Sequence, residues 1–218
     1  CGHTKGWWLG HRKLVECRDC HRQTSVTAGT VFHAARVPVW KWFWAIYQLS
    51  QDKKGIAALT LAKQIGVCYA TAWLMLLKLR RAMRLRNERY VLQGLVDVDE
   101  TYVGGEEPGH RGRPSCDSDK KVPVAVALEM DEHGKPKRVA MSSVKRVNGH
   151  CLRQFAQRVI AKGSTLRTDG WGAYRAVAKA GYAHRSEITG SGRAAVQVFP
   201  WIHTFIANMK RMILGTHH

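Results

Sequence analysis

The chain has 218 residues, with 35 Lys and Arg against 16 Asp and Glu and a formal net charge of +19. Such an excess is the footprint expected of phosphate binding, and it is uneven: residues before Gly94 carry 16 basic side chains against 4 acidic ones, and those from Gly94 onward 19 against 12. No run of about 18 apolar residues and no secretory pattern occurs, which argues against a membrane role and points to a cytosolic protein with a nucleic-acid partner.

The amino-terminal segment reads as a metal site. Cys1, Cys17 and Cys20 stand in the pattern C-x15-C-x2-C, the last three ligands of a C-x2-C-x15-C-x2-C zinc site. A structural zinc tetrahedron needs a fourth ligand. It is expected from a Cys upstream of Cys1, the sequence starting inside the first knuckle, with His3 and His21 as the substitutes. Cys68, Cys116 and Cys151 are scattered and read as ordinary reduced thiols.

Residues 37–90 are expected to be helical. Residues 38–47 hold three of the eight Trp, and this aromatic stripe is assigned to packing between the ribbon and the helices. Residues 54–65 place apolar side chains at helical spacing, Gly66-Val67 makes a tight turn, and a second helix starts at Cys68, which is a helix-turn-helix pattern. The second helix would present Tyr69, Lys78, Arg80, Arg81, Arg84 and Arg86 to DNA, phosphate contacts fixing register and base contacts specifying sequence. An ordinary helical hairpin with a solvated basic tail is the alternative.

From Gly94 strands and helices alternate, as in an α/β domain. An apolar strand at residues 94–105 carries Asp97 and Asp99, which share one face by the period-two rule, so the strand alone does not choose between them. Residues 106–120 are polar and rich in Gly, Pro and charge, as in a mobile loop. A hairpin at 122–142 turns around residues 131–134, a helix runs near 149–161, a strand at 166–168 leads to Asp169, a helix follows at 172–180, and Asn208 lies in a last helix. Hard Mg²⁺ takes oxygen ligands, so two Asp and an amide carbonyl suffice, and two such ions can activate an attacking oxygen and stabilise a leaving one. Asp169-Gly170 is equally a turn or cap sequence.

Four blocks carry a family resemblance: Cys17 to Cys20 with residues 27–32; residues 98–109, containing Asp99-Glu100-Thr101-Tyr102-Val103-Gly104-Gly105; residues 168–174, containing Asp169-Gly170-Trp171; and residues 208–218, opening Asn208-Met209-Lys210. In this order they resemble the zinc-ribbon insertion-sequence transposases of bacteria and archaea, whose core is the ISXO-two-like transposase domain. The resemblance implies a ribonuclease-H-like catalytic domain at 94–218, preceded by a zinc ribbon at 1–36 and a helix-turn-helix region at 37–93. It implies Asp99 rather than Asp97 as the first catalytic aspartate, Asp169 as the second, Asn208 at the third position in place of the usual carboxylate, and Lys210 beside it. It further implies Mg²⁺ or Mn²⁺ at that site, Zn²⁺ on the ribbon, transposon-end and target DNA as partners, a homo-oligomer that joins two DNA ends, and a further helical stretch after His218. The competing reading is a non-catalytic zinc-ribbon and helix-turn-helix remnant that binds DNA.

Overall fold

The computed structural model describes residues 1–51, 53–104, 121–187 and 198–216; the loop expected at 106–120 lies outside them. Two compact units are present, residues 1–83 and 84–218. The ribbon and most of the helical region belong to the first.

In that first unit three short antiparallel strands, β1 (Gly6–Leu9), β2 (Leu14–Cys17) and β3 (Gln23–Ser25), pair in the order β1-β2-β3. Three helices follow: α1 (Val39–Gln51), α2 (Ala58–Ile65) and α3 (Tyr69–Asn87). Gly66 ends α2 at φ 61° and ψ 58°, the left-handed conformation that costs glycine no Cβ clash, and its N–H bonds to the Ala62 carbonyl. The chain bends by 111° there before α3 begins, as the helix-turn-helix pattern predicts. Leu61, Ala62 and Ile65 of α2 and Ala72, Met75, Leu76 and Leu79 of α3 are buried at helical spacing around Trp42 and Ala45 of α1.

The aromatic stripe of α1 departs from its expected role. Trp42 is buried, with Phe32 packed edge-on at 5.5 Å, but Trp40, Phe43, Trp44 and Tyr47 are exposed. The cause is helical period: positions 42, 45, 46 and 49 turn inward, and 40, 43, 44 and 47 lie on the opposite face. Trp42 packs as expected, and the rest of the stripe is surface.

The second unit is built on one five-stranded sheet of β4 (Leu95–Gly104), β5 (Lys121–Met130), β6 (Pro136–Ser143), β7 (Thr165–Asp169) and β8 (Ala183–Glu187). The strand order is β6-β5-β4-β7-β8, with β4, β5 and β6 antiparallel and β7 and β8 parallel to β4. Helix α4 (Gly149–Val159), a 3-10 turn (Gly172–Tyr174) leading into the short α5 (Arg175–Ala178), and α6 (Pro200–Thr216) complete it. This is a ribonuclease-H-like α/β fold.

Both faces of the sheet are covered. Val96 and Val98 of β4, Ala125 and Ala127 of β5 and Leu166 of β7 form one core with Leu152, Phe155 and Ala156 of α4 and with Tyr174 and Val177. The intervening residues Val126, Leu128 and Met130 of β5 pack on the other face against Phe199, Ile202 and Ile206. Strand β8 carries Ala, His, Arg, Ser and Glu with no apolar alternation, so only its pairing to β7 makes it a strand. No single helix among the described residues is long and apolar enough to cross a membrane.

Leu166 is fully buried at the centre of β7. Leu166→Ala is expected to destabilise the second unit by about 2–5 kcal/mol, measured by chemical denaturation.

Candidate active site

Strand β4 turns Asp97 and Asp99 to the face opposite Val96 and Val98, and the two carboxylates meet different partners there. Asp97 is 1% exposed. Arg167 donates to both of its oxygens, Nε to Oδ1 at 2.7 Å and Nη2 to Oδ2 at 2.8 Å. Asp97 and Arg167 are register partners on adjacent parallel strands, so the guanidinium fork reaches the carboxylate directly. The same guanidinium stands 5.0 Å over the Phe199 ring and 3.9 Å from Glu187. The Asp97 hydrogen bonds hold the Arg167 pKa above its ordinary value. With both oxygens committed, Asp97 is a structural ion pair.

Asp99 remains partly open, its side chain 23% exposed. Its Oδ1 accepts the Glu100 N–H at 2.8 Å. Asp169 closes β7; the paired register of β4 and β7 runs from Leu95–Thr165 to Asp97–Arg167, and by alternation Asp169 falls on the same sheet face as Arg167 and Asp99. Its Oδ1 accepts the Trp171 N–H at 3.2 Å, so the turn role open to Asp169 is realised alongside any other.

Glu100 points to the opposite face, where the buried Tyr174 hydroxyl donates to its Oε2 at 2.7 Å. The Tyr174 pKa is pushed well above the ordinary phenol value, first by burial, then by the charge of Glu100 and its hydrogen bond, with Asp99 and Asp169 adding to the effect. Three carboxylates thus bear on one neutral phenol at one end of the sheet. Of the three, Asp99 and Asp169 share a sheet face and are hard oxygen donors of the kind a divalent cation takes.

Helix α6 lies along this face. Ile202, Ile206 and Met209 are its buried residues, and His203 stands beside them with Nδ1 3.6 Å from Asp99 Oδ2. Burial lowers the His203 pKa, which favours the neutral imidazole. Lys210 is exposed and falls within about 20° of His203 around the helix. Asn208 is half-buried and lies about 140° from His203. Sequence reasoning missed Glu100, Tyr174 and His203. Glu100 and Tyr174 lie inside the blocks that carry the resemblance, and the seven-residue step from His203 to Lys210 was the available signal for the third.

In the first unit the predicted cysteines come together. Cys1 Sγ is 3.5 Å from Cys17 Sγ and 3.1 Å from Cys20 Sγ, and these three are the group of metal-ligating side chains close enough to share one ion among the described residues. Backbone hydrogen bonds from Cys20 and Asp19 hold the Cys17 thiol below its ordinary pKa, as a metal-binding thiolate requires. His21 instead faces Glu16, Nδ1 to Oε1 at 3.3 Å.

The basic residues assigned to DNA divide. Tyr69, Arg81, Arg84 and Arg86 are exposed on α3, Arg84 pairing with Glu88 at 3.4 Å. Lys78 donates to the His33 carbonyl at 3.5 Å and lies 6.0 Å over the Trp42 ring. Arg80 donates to the Ile56 carbonyl at 3.3 Å, burial lowering its pKa. Trp73, Leu74 and Leu77 form an exposed apolar stretch between Tyr69 and the arginines.

A ribonuclease-H-like sheet with aspartates from adjacent parallel strands at one end defines the class. The ISXO2-like transposase domain matches residues 91–218, more than half of the chain, and the chain belongs to that family. It is 30% identical over 173 residues to an uncharacterized protein in transposable element ISH50 of Halobacterium salinarum, covering 72% of this chain and 55% of that one. The chain therefore spans about half the length of that curated relative. Two solved structures, the Mos1 transposase paired-end complex with left transposon end and the Mos1 mariner paired end complex with Mn, align over 85% of this chain and 77% of theirs at 13% and 14% identity, each with a TM-score of 0.26.

Two measurements probe these arrangements. Arg167→Met alone, leaving the buried Asp97 unpaired, is expected to cost about 3–5 kcal/mol, whereas Asp97→Leu with Arg167→Met should cost much less; denaturation of both variants checks this. Zinc titration should show weak binding, one ligand short of a tetrahedron, that Cys17→Ser or Cys20→Ser weakens further.

Proposed function

We propose that this chain is the DNA-binding and catalytic portion of an insertion-sequence transposase that performs metal-dependent DNA strand cleavage and strand transfer. The observation that carries the reading is that Asp99 and Asp169 lie on one sheet face of adjacent parallel strands, each two residues beyond the Asp97–Arg167 pair, in which Arg167 neutralises Asp97. Asp99 and Asp169 would hold Mg²⁺ or Mn²⁺, a third ligand would come from α6, and Lys210 would contact phosphate. The ions would supply activation of an attacking water or DNA 3′-hydroxyl and stabilisation of the leaving oxygen. The Tyr174 hydroxyl holds Glu100 on the opposite sheet face and so fixes the strand end that carries Asp99.

In this reading the Cys1, Cys17 and Cys20 cluster holds Zn²⁺ as a structural ion, and Tyr69, Arg81, Arg84 and Arg86 meet DNA. Lys78 and Arg80 support α3 from behind through their contacts to the His33 and Ile56 carbonyls. Work on two transposon ends and a target calls for a homo-oligomer, associated with the nucleoid of a bacterial or archaeal cell.

Asp99→Asn and Asp169→Asn should each abolish cleavage and joining of transposon-end DNA in Mg²⁺ or Mn²⁺ while leaving DNA affinity largely intact, because phosphate contacts rather than the metal carry binding. Cleavage by Asp99→Asn at the native rate would overturn the assignment. Neutralising Arg81, Arg84 and Arg86 together should reduce the slope of log affinity against log salt by up to about 3. Arg80→Ala should instead appear mainly as lost stability.

A further inference from the structure

The contact between α6 and Asp99 assigns a metal-site role to a residue outside the set named above. His203 follows the buried Ile202, and packing of Ile202 and Ile206 on the sheet holds its ring against β4. Its Nδ1 is 3.6 Å from Asp99 Oδ2, too long for a hydrogen bond. Two donor atoms on one ion, each bonded at about 2.1 Å, sit roughly 3–3.5 Å apart. The spacing is therefore near that of co-ligands. The Glu100 N–H engages the other oxygen of the carboxylate, Oδ1, and Oδ2 is the one turned to the imidazole. A straight helix cannot aim both His203 and Asn208 at this oxygen, because about 140° and a turn and a half separate them.

We propose that His203, through Nδ1, is the ligand α6 contributes to the divalent ion at Asp99, with Asn208 outside the coordination sphere. The inference rests on the reading of Asp99 as a metal ligand. An imidazole in a site otherwise built of oxygen donors biases it away from Mg²⁺ and toward transition ions, so His203 also sets which cation the site prefers.

The test uses the full chain with its cysteine cluster first saturated with zinc, then loaded with Mn²⁺ and examined by pulsed EPR. A directly bound ¹⁴N coupling is expected, absent from His203→Gln and retained in Asn208→Ala. His203→Gln should also lower the ratio of Mn²⁺ to Mg²⁺ affinity, read by competition titration, with circular dichroism confirming that the variant is folded. If Mn²⁺ binds in an Asp99-dependent way and the native chain shows no nitrogen coupling, His203 is not a ligand and the aspartate site stands. Coupling that persists in His203→Gln likewise removes His203 from the coordination sphere. If Asp99→Asn leaves Mn²⁺ affinity unchanged, the ion is elsewhere and both readings fall.

Discussion

The Asp97–Arg167 pair is the contact on which the candidate site depends. A carboxylate 1% exposed carries a desolvation cost that only a close, well-aligned counter-charge offsets, and Arg167 reaches it because the two residues are register partners on β4 and β7. A one-residue slip of β7 would turn Arg167 to the other sheet face and strand both charges. The pair thus selects one register. That register puts Asp99 and Asp169, each two residues further on, on one sheet face.

The same sheet divides chemistry between its faces. On the α4 side, Tyr174 closes the core and supplies the hydroxyl that binds Glu100. On the α6 side, Asp99 faces His203. Successive residues of one strand, Asp99 and Glu100, therefore stand in different environments, one partly open and one bonded to a buried phenol. Burial first, and then the negative charge concentrated here, raises the Tyr174 pKa and keeps that phenol a donor. A cation bound on the aspartate side would relieve the same repulsion.

The amino-terminal unit follows a different logic. Its interior is filled by one face each of α1, α2 and α3, and the left-handed Gly66 sets the bend between the last two. Two cationic side chains, Lys78 and Arg80, lay their stems against this interior and place their donors on backbone carbonyls, as long amphipathic chains do when an apolar surface lies beneath them. The opposite face of α1 presents Trp40, Phe43, Trp44 and Tyr47 outward, so the unit is basic and aromatic on its surface at once.

Local patterns in the sequence determined a good deal: the turn at Gly66, the hairpin of β5 and β6, the strand ending at Asp169 and the cysteine cluster. These depend on short-range periodicity and turn chemistry, which neighbouring residues encode. Tertiary structure decided what depends on residues far apart in the chain. Asp97 and Asp99 share a strand face and are equivalent by alternation; Arg167, seventy positions away, separates them. The α1 stripe is rich enough in aromatics to read as core, but only the position of α2 and α3 determines which side of it is buried. His203 has no distinguishing sequence feature until α6 lies against β4, because a helix residue acquires its role from the surface it is packed against.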